Sequence, residues 1–265
     1  SDVYKRQEFM LGPYSTTMTK AVAPVTEKFK VPMVEAEGAS RSLFTQGYKY
    51  MFAVLSTSEY YLAPVLDIMA DKAKAMGKNP ADLRISMAFE NDGFSLDVRA
   101  GVVDKAKEHG MKIVIDDKLP ADLSDMSATL TKTKALKPDI LLVSGHSKGA
   151  ATAARQIEEM KIDVPLIAYT HCEAAKVQEK FPKSANGVMC PTQWLSNLPK
   201  SDDYFGDAAK WNSDFKKSYP EYSVVPYQTA QASAAVLVFK DAFERANSFD
   251  RDKVRDALAA TDMET

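Results

Sequence analysis

Hydroxyl groups gather in two early stretches, Gly12-Pro13-Tyr14-Ser15-Thr16-Thr17 and Glu37-Gly38-Ala39-Ser40. Hydroxyls just ahead of a helix place side-chain and backbone donors at its positive end, which suits a carboxylate or other small anion. Further polar loops follow at Asn91-Asp92-Gly93-Phe94-Ser95, Gly145-His146-Ser147-Lys148-Gly149, Tyr169-Thr170-His171-Cys172 and Thr192-Gln193-Trp194. Each Ser or Thr also fits the plain role of a helix cap. That all of these loops are polar together favours a ligand over capping alone.

Covalent chemistry has one candidate. Gly145-His146-Ser147-Lys148-Gly149 fits G-x-S-x-G and stands between a strand and a helix, where a nucleophile elbow belongs. A serine hydrolase built on it would use Ser147 as nucleophile. His171, the one histidine after Ser147, would be the base, and the acid would come from Glu158, Glu159 or Asp163 between them. That order crowds the triad into too little chain, and no HGGG-type stretch precedes it. The expectation is therefore a chain without catalytic residues. G-x-G-x-x-G, the phosphate-binding G-x-x-x-x-G-K-[ST] and H-E-x-x-H are all missing, so no cofactor and no metal are expected. Cys172 and Cys190 end neighbouring strand candidates, which leaves open a disulfide, if the chain is exported, or two buried thiols.

The elements that must position these loops alternate. Strand candidates are Phe9–Leu11, Val31–Val34, Ile85–Phe89, Lys112–Ile115, Ile140–Val143, Leu166–Tyr169 and Val188–Cys190. Helical spacing lies between them: Leu62, Val65, Leu66, Met69, Ala73 and Met76 are separated by 3, 1, 3, 4 and 3 residues, one face of a helix. Asp122 or Ser124 is the expected cap of a helix carrying Leu123, Met126 and Leu130. Pro24 falls inside the first helix and is expected to kink it. Repeated strand–helix–strand units mean an α/β fold with parallel sheets wrapped by helices, whose ligands bind beyond the carboxyl ends of the strands. From Asp203 to Ala260 the pattern is three helices with little strand. Val54–Ser58 and Trp194–Asp202 are the expected crossings between two lobes.

Composition closes off other classes. The chain has 265 residues, 34 Lys and Arg against 36 Asp and Glu, and 45% hydrophobic residues. No basic excess exists to neutralise nucleic-acid phosphates, and no apolar run of about 18 residues exists to cross a membrane as a helix. Ser1 to Gln7 (SDVYKRQ) matches none of the pattern after it and reads as a non-native leader. Both ends read as cuts, and an export signal would be lost with them.

The run GPYSTTMTKAVAPVTEKFKVPMVEAEGAS resembles the type I periplasmic binding proteins of the branched-chain amino-acid (leucine/isoleucine/valine) class, the extracytoplasmic receptors of ABC importers. YKYMF, ENDGFSLDVRAGVVDKAKEHGMKIV, DLSDMSATLTKTKALKPDILLVSGH and DRDKVRDALAATDMET continue the likeness in order, so that it covers nearly all of residues 8–265. It implies two Rossmann-like lobes joined by hinge strands and closing on a ligand. Lobe 1 would comprise 8–56 and 192–265, lobe 2 would be 57–191, and the fold would be truncated at both ends. It further implies a monomer that binds a small carboxylate or amino acid, works with a membrane permease from the periplasm or another extracytoplasmic space, and binds no nucleic acid. A cytoplasmic sensor of the same fold is the variant reading. The ligand residues it implies are Tyr14, Ser15, Thr16, Thr17, Ala39 and Ser40 for the carboxylate side. Phe94, His146, Thr170 and His171 follow from the second lobe, with Trp194 as a wall. The acid that commonly pairs the ligand ammonium has no counterpart in Tyr169-Thr170-His171-Cys172, and Glu173 comes slightly late, so an ordinary α-amino acid is not assured.

Overall fold

A computed structural model describes residues 7–263, apart from the side chains of Ala175 and Lys176. All of the expected leader except Gln7 lies outside the described residues. In chain order the elements are β1 (Met10–Leu11), α1 (Thr16–Lys28), β2 (Met33–Glu35), α2 (Arg41–Phe44), β3 (Met51–Ala53), α3 (Ala63–Ala75), β4 (Arg84–Glu90) and α4 (Gly93–His109). They continue with β5 (Lys112–Leu119), α5 (Ser127–Leu136), β6 (Ile140–Ser144), α6 (Ser147–Glu159), β7 (Leu166–Tyr169), α7 (Ala175–Lys180) and α8 (Pro182–Ala185). The last are β8 (Ser201–Asp202), β9 (Gly206–Asp207), α9 (Ala208–Ser218), α10 (Tyr227–Ala246) and α11 (Arg251–Ala259). The chain forms two compact units, one ending at Ser56 and resuming at Gln193, the other running from Thr57 to Thr192.

The first unit holds a parallel sheet in the order β1-β2-β3. Side chains alternate across a strand, and β2 shows the consequence. Met33 faces Ala23, Leu43 and Met51, whereas Val34 faces Ala235, Val238 and Phe239 of α10 and Val254 and Leu258 of α11. Glu35 ends the strand fully buried.

In the second unit the sheet is parallel in the order β5-β4-β6-β7. All five residues of β6 and all of β4 after Arg84 are buried, as inner strands covered on both faces must be. Ala88, Leu141, Val143 and Tyr169 pack against Leu130 of α5 and the small face Ala150, Ala153, Ala154 of α6. These alanines let α6 approach the sheet closely.

Several expectations need correcting. Val188–Cys190 makes a single parallel bridge, Ala168 to Met189, rather than a strand. Met51–Ala53 is a strand the pattern did not show, because three residues are too few to carry a period. The Trp194–Asp202 stretch enters the short β8–β9 hairpin, so the tail is a hairpin and three helices. Helix α5 begins at Ser127, and neither Asp122 nor Ser124 caps it. Asp125 instead accepts the Ser127 N–H at 3.0 Å, and Leu123 stands before the helix with φ 31°. Pro24 lies inside α1, as expected.

Gly101 lies on α4 where a Cβ would come within 1.9 Å of the Glu59 backbone oxygen. Backbone cannot give way as a side-chain tip does, and overpacking of this kind costs about 1–3 kcal/mol. Gly101→Ala is expected to lower the thermal midpoint followed by circular dichroism by at least ~2 °C. An unchanged midpoint would show that the Ser58–Tyr60 turn yields freely.

Candidate functional site

In the first unit the two hydroxyl stretches meet. Ser15 occupies the N-cap position of α1, and Thr16 follows it, 3% exposed. The Thr16 hydroxyl accepts the Ser40 backbone N–H at 3.3 Å, and the Ser40 hydroxyl lies 2.8 Å from that of Ser42. Ser40 and Ala39 are both buried. Thr17 and Tyr14 are exposed.

Beneath this loop lies a group the sequence did not single out. One oxygen of Glu35 accepts the N–H groups of Glu37 at 2.6 Å and Gly38 at 2.7 Å, and the other lies 2.8 Å from the Thr19 hydroxyl. A Cβ on Gly12 would sit 2.2 Å from a Glu35 oxygen, and one on Gly38 would sit 2.4 Å from Thr19 Oγ1. Both positions therefore require glycine. Burial pushes the Glu35 carboxyl above its ordinary range, and the N–H and hydroxyl donors pull it part of the way back.

The second unit gathers rings where the first gathers hydroxyls. Phe94, buried near the start of α4, has its ring centroid 5.5 Å from His146 and 5.7 Å from His171, and the two imidazoles are 5.5 Å apart. Tyr61 meets Phe94 edge-on at 5.3 Å. Thr170 ties the base of the cluster: its hydroxyl donates to the Gly145 oxygen at 2.7 Å and accepts the Gly145 N–H at 3.1 Å. That same oxygen lies 2.8 Å from His171 Nδ1, which must therefore carry the proton and leave Nε2 as an acceptor. Burial and the nearby His146 lower the His171 pKa to about 4, so it is neutral at pH 7.

His146 is the opposite case. Its Nε2 lies 2.8 Å from an Asp92 oxygen, while the other Asp92 oxygen caps α4 by accepting the Ser95 N–H at 2.8 Å. Burial opposes the charge on His146, but the Asp92 carboxylate outweighs it and raises the imidazole's pKa. The buried Glu90, missed in the sequence, adjoins this pair and takes the His146 backbone N–H. Gly145 and Gly149 make room for it, since a Cβ on either would lie within 2.6 Å of its Oε1. Desolvation lifts the Glu90 carboxyl to about 7. A glutamate closing an apolar run, paired with glycines in facing loops, is the signal that could have disclosed both Glu35 and Glu90.

Trp194 joins neither group. It lies edge-on to Trp211 at 5.2 Å in a cavity of about 320 Å³ inside the first unit, lined also by Phe205, Leu198 and Leu237. Gln193 beside it accepts the Ser56 N–H at 2.7 Å and the Gln231 amide at 2.9 Å. Cys172 and Cys190 form a disulfide. Burial raises Glu173 to about 7, with one of its oxygens 3.3 Å from Cys190 Sγ.

The G-x-S-x-G stretch does not form a triad. Ser147 is exposed at the first turn of α6, whereas Glu158 and Glu159 end that helix roughly 17 Å along its axis at 1.5 Å per residue. Glu159 is paired with Arg155, and His171 faces Gly145.

Residues 6–265 match the family model described as periplasmic binding protein. Among curated proteins, the Leu/Ile/Val-binding protein homolog 7 of Brucella abortus (strain 2308) is 21% identical over 261 residues, covering 96% of this chain and 64% of that one. The chain spans between 38% and 64% of the length of such relatives. Among solved structures, the leucine binding protein LivK of Thermotoga maritima superposes with a TM-score of 0.78 at 23% identity, over 95% of this chain and 68% of that one. A solute binding protein of an ABC transporter from R. palustris, in complex with benzoate, gives 0.78 at 13% identity over 97% and 68%. The α/β fold with parallel sheets is thus that of type I periplasmic binding proteins.

A carboxyl whose pKa is raised on folding binds its proton more tightly in the folded than in the unfolded chain. Its ionisation therefore erodes stability as pH climbs. For Glu90 the window runs from the ordinary 4.5 to about 7. Glu90→Gln is expected to gain thermal stability relative to the parent chain progressively across that window and to hold the gain above it. A difference that does not vary with pH would show that Glu90 does not titrate there.

Proposed function

The chain belongs to the periplasmic binding protein family, and from that membership we propose that it is an extracytoplasmic solute receptor of an ABC importer, binding a small carboxylate-bearing ligand without altering it. The observation that carries this reading is the buried pairing of Thr16 with Ser40 at the head of α1, which unites two separate hydroxyl stretches at a positive helix end. An anion at such a place gains charge-assisted hydrogen bonds, each contributing about 1.5–3 kcal/mol. Three or four of them suffice for micromolar binding after ordering costs.

The second unit gathers a different chemistry of its own. Phe94, His146 and His171 offer flat, partly polar faces, and His146 adds positive charge as pH falls through its raised pKa. The proposed receptor closes on its solute about the Ser56 and Gln193 crossings, acts as a monomer and presents the closed form to a membrane permease. Its disulfide suits an oxidising, extracytoplasmic compartment. Nothing in the geometry favours the serine hydrolase.

Isothermal titration against amino acids and aromatic acids is expected to give one-to-one binding to members of that panel. Thr16→Ala and Ser40→Ala should each weaken the tightest ligand by roughly 10-fold or more, the equivalent of one charge-assisted hydrogen bond. Undiminished affinity in both variants, or no heat across the panel, would overturn the assignment.

A further inference from the structure

The sheet of the second unit brings three metal-binding side chains to one point. β4 and β6 run side by side and parallel, with Phe89 opposite Ser144, so the residues that follow each strand emerge together. Glu90 ends β4, Asp92 follows it at the N-cap of α4, and His146 follows β6 at the N-cap of α6. One donor atom from each of the three lies within 4.8 Å of the others. Ligand atoms held about 2.0–2.2 Å from one ion stand at most roughly 4.4 Å apart, so small side-chain movements suffice to seat an ion among them.

Proximity alone does not attract a cation, but Glu90 adds a reason. It is 1% exposed, and its Oε2 is buried without a hydrogen-bond partner among the described residues. A carboxylate so placed is costly unless a cation or a donor meets it. Glu37 and Glu59 carry a like oxygen, yet among the described residues neither stands in a group of three metal-binding side chains. Two other such groups are already satisfied. At Asp67, Glu108 and His109 the Lys105 ammonium meets both carboxylates, at 3.4 and 2.8 Å, and at Cys172, Glu173 and Cys190 the sulfurs form the disulfide. Other paired cations of this unit serve other acids: Arg99 meets Asp116, Lys132 meets Asp117, Lys148 meets Asp122 and Arg155 meets Glu159. The donors are also held in place. The second Asp92 oxygen accepts the Ser95 N–H at 2.8 Å, and Glu90 takes the His146 backbone N–H in the space left by Gly145 and Gly149. Outer partners of this kind fix the direction of metal ligands.

We propose that Glu90, Asp92 and His146 bind a divalent transition ion of the Zn²⁺ kind. Two carboxylate oxygens and one imidazole nitrogen suit such an ion better than Mg²⁺ or Ca²⁺, which favour oxygen alone. The Nε2 atom of His146, 2.8 Å from Asp92, coordinates the ion in place of a proton. Three protein ligands leave a position for water or an anion. The site stands on the second unit by itself and does not depend on the receptor reading. The sequence led to no metal being expected, because Asp92 and His146 are 54 residues apart and form no local zinc motif; only the pairing of β4 with β6 joins them.

The test titrates the whole chain, freed of metal with a chelator, with Zn²⁺ and with Co²⁺ in separate experiments. Calorimetry is expected to give one Zn²⁺ per chain with micromolar or tighter affinity, and the thermal midpoint should rise with Zn²⁺ concentration. Co²⁺ should develop visible absorption as it leaves its octahedral water shell for a lower-coordinate protein site. Glu90→Gln and His146→Gln should each weaken Zn²⁺ by roughly 10-fold or more and suppress the Co²⁺ bands. Glu90→Gln keeps the side chain's volume and carries the test alone if His146→Gln fails to fold. His109→Gln, at the Asp67 cluster, should leave both readings unchanged. No heat at millimolar Zn²⁺, or undiminished affinity in Glu90→Gln, overturns the assignment. Loss of binding in His109→Gln with Glu90→Gln unaffected would put the ion at the Asp67 cluster and overturn it equally.

Discussion

Each unit buries a glutamate at the carboxyl end of an inner strand and builds its polar loops on that carboxyl. Glu35 closes β2 and collects two backbone N–H groups and a hydroxyl. Glu90 closes β4 and takes the N–H of His146. Both depend on glycines across the way, Gly12 and Gly38 around the first site, Gly145 and Gly149 around the second, at which any Cβ would collide with the carboxyl or its partner. A buried polar group with its partners satisfied rigidifies what it touches. The loops above these glutamates are therefore held in place by the fold itself.

Electrostatics separates the halves. In the first, acids crowd together: burial raises Glu35, and burial plus Glu35 raises Glu37. In the second, an imidazole intervenes. His146 stabilises the charge of Asp92 against burial, while His171, more deeply buried and close to His146, is held neutral. Both imidazoles donate to an oxygen, yet the first is drawn towards its charged form and the second is held neutral, although both follow a sheet strand in similar loops. The difference comes from what faces each ring, a carboxylate in one case and a backbone carbonyl in the other.

The alternation of apolar runs and helical faces disclosed the α/β architecture, because inner strands such as β4 and β6 are mostly apolar, with Ile85, Met87, Ala88 and Phe89 in one and Ile140, Leu141, Leu142 and Val143 in the other. Short elements stayed hidden. β3 has three residues, and the β8–β9 hairpin turns on Asp202, which accepts the Tyr204 and Phe205 N–H groups, and on Gly206 at φ 81°. That turn chemistry is written in Asp202-Asp203-Tyr204-Phe205-Gly206, where the polar stretch before it suggested only a crossing. Of the candidate site, the loop residues Thr16, Ser40, Phe94, His146, Thr170 and His171 were legible as candidates from type and position. The supporting glutamates were not, since a glutamate after an apolar run reads equally well as the place where a strand reaches water. Trp194 stands apart from both groups, its ring edge-on to Trp211 on the wall of a cavity in the first unit.

Rigid sheets and chemically distinct loops divide the scaffold into a part that resists change and a part that tolerates it. A parallel strand buried on both faces tolerates little change, whereas a loop fixed by one carboxyl can exchange the residues around it. Replacing the hydroxyls of Thr16 and Ser40, or the rings of Phe94, His146 and His171, would change the chemistry of these loops without disturbing Met33, Val34 or Leu141 in the cores. The constraint that does not relax is the glycine opposite each buried glutamate. A side chain there would drive the carboxyl out of its cradle and release the loop it organises.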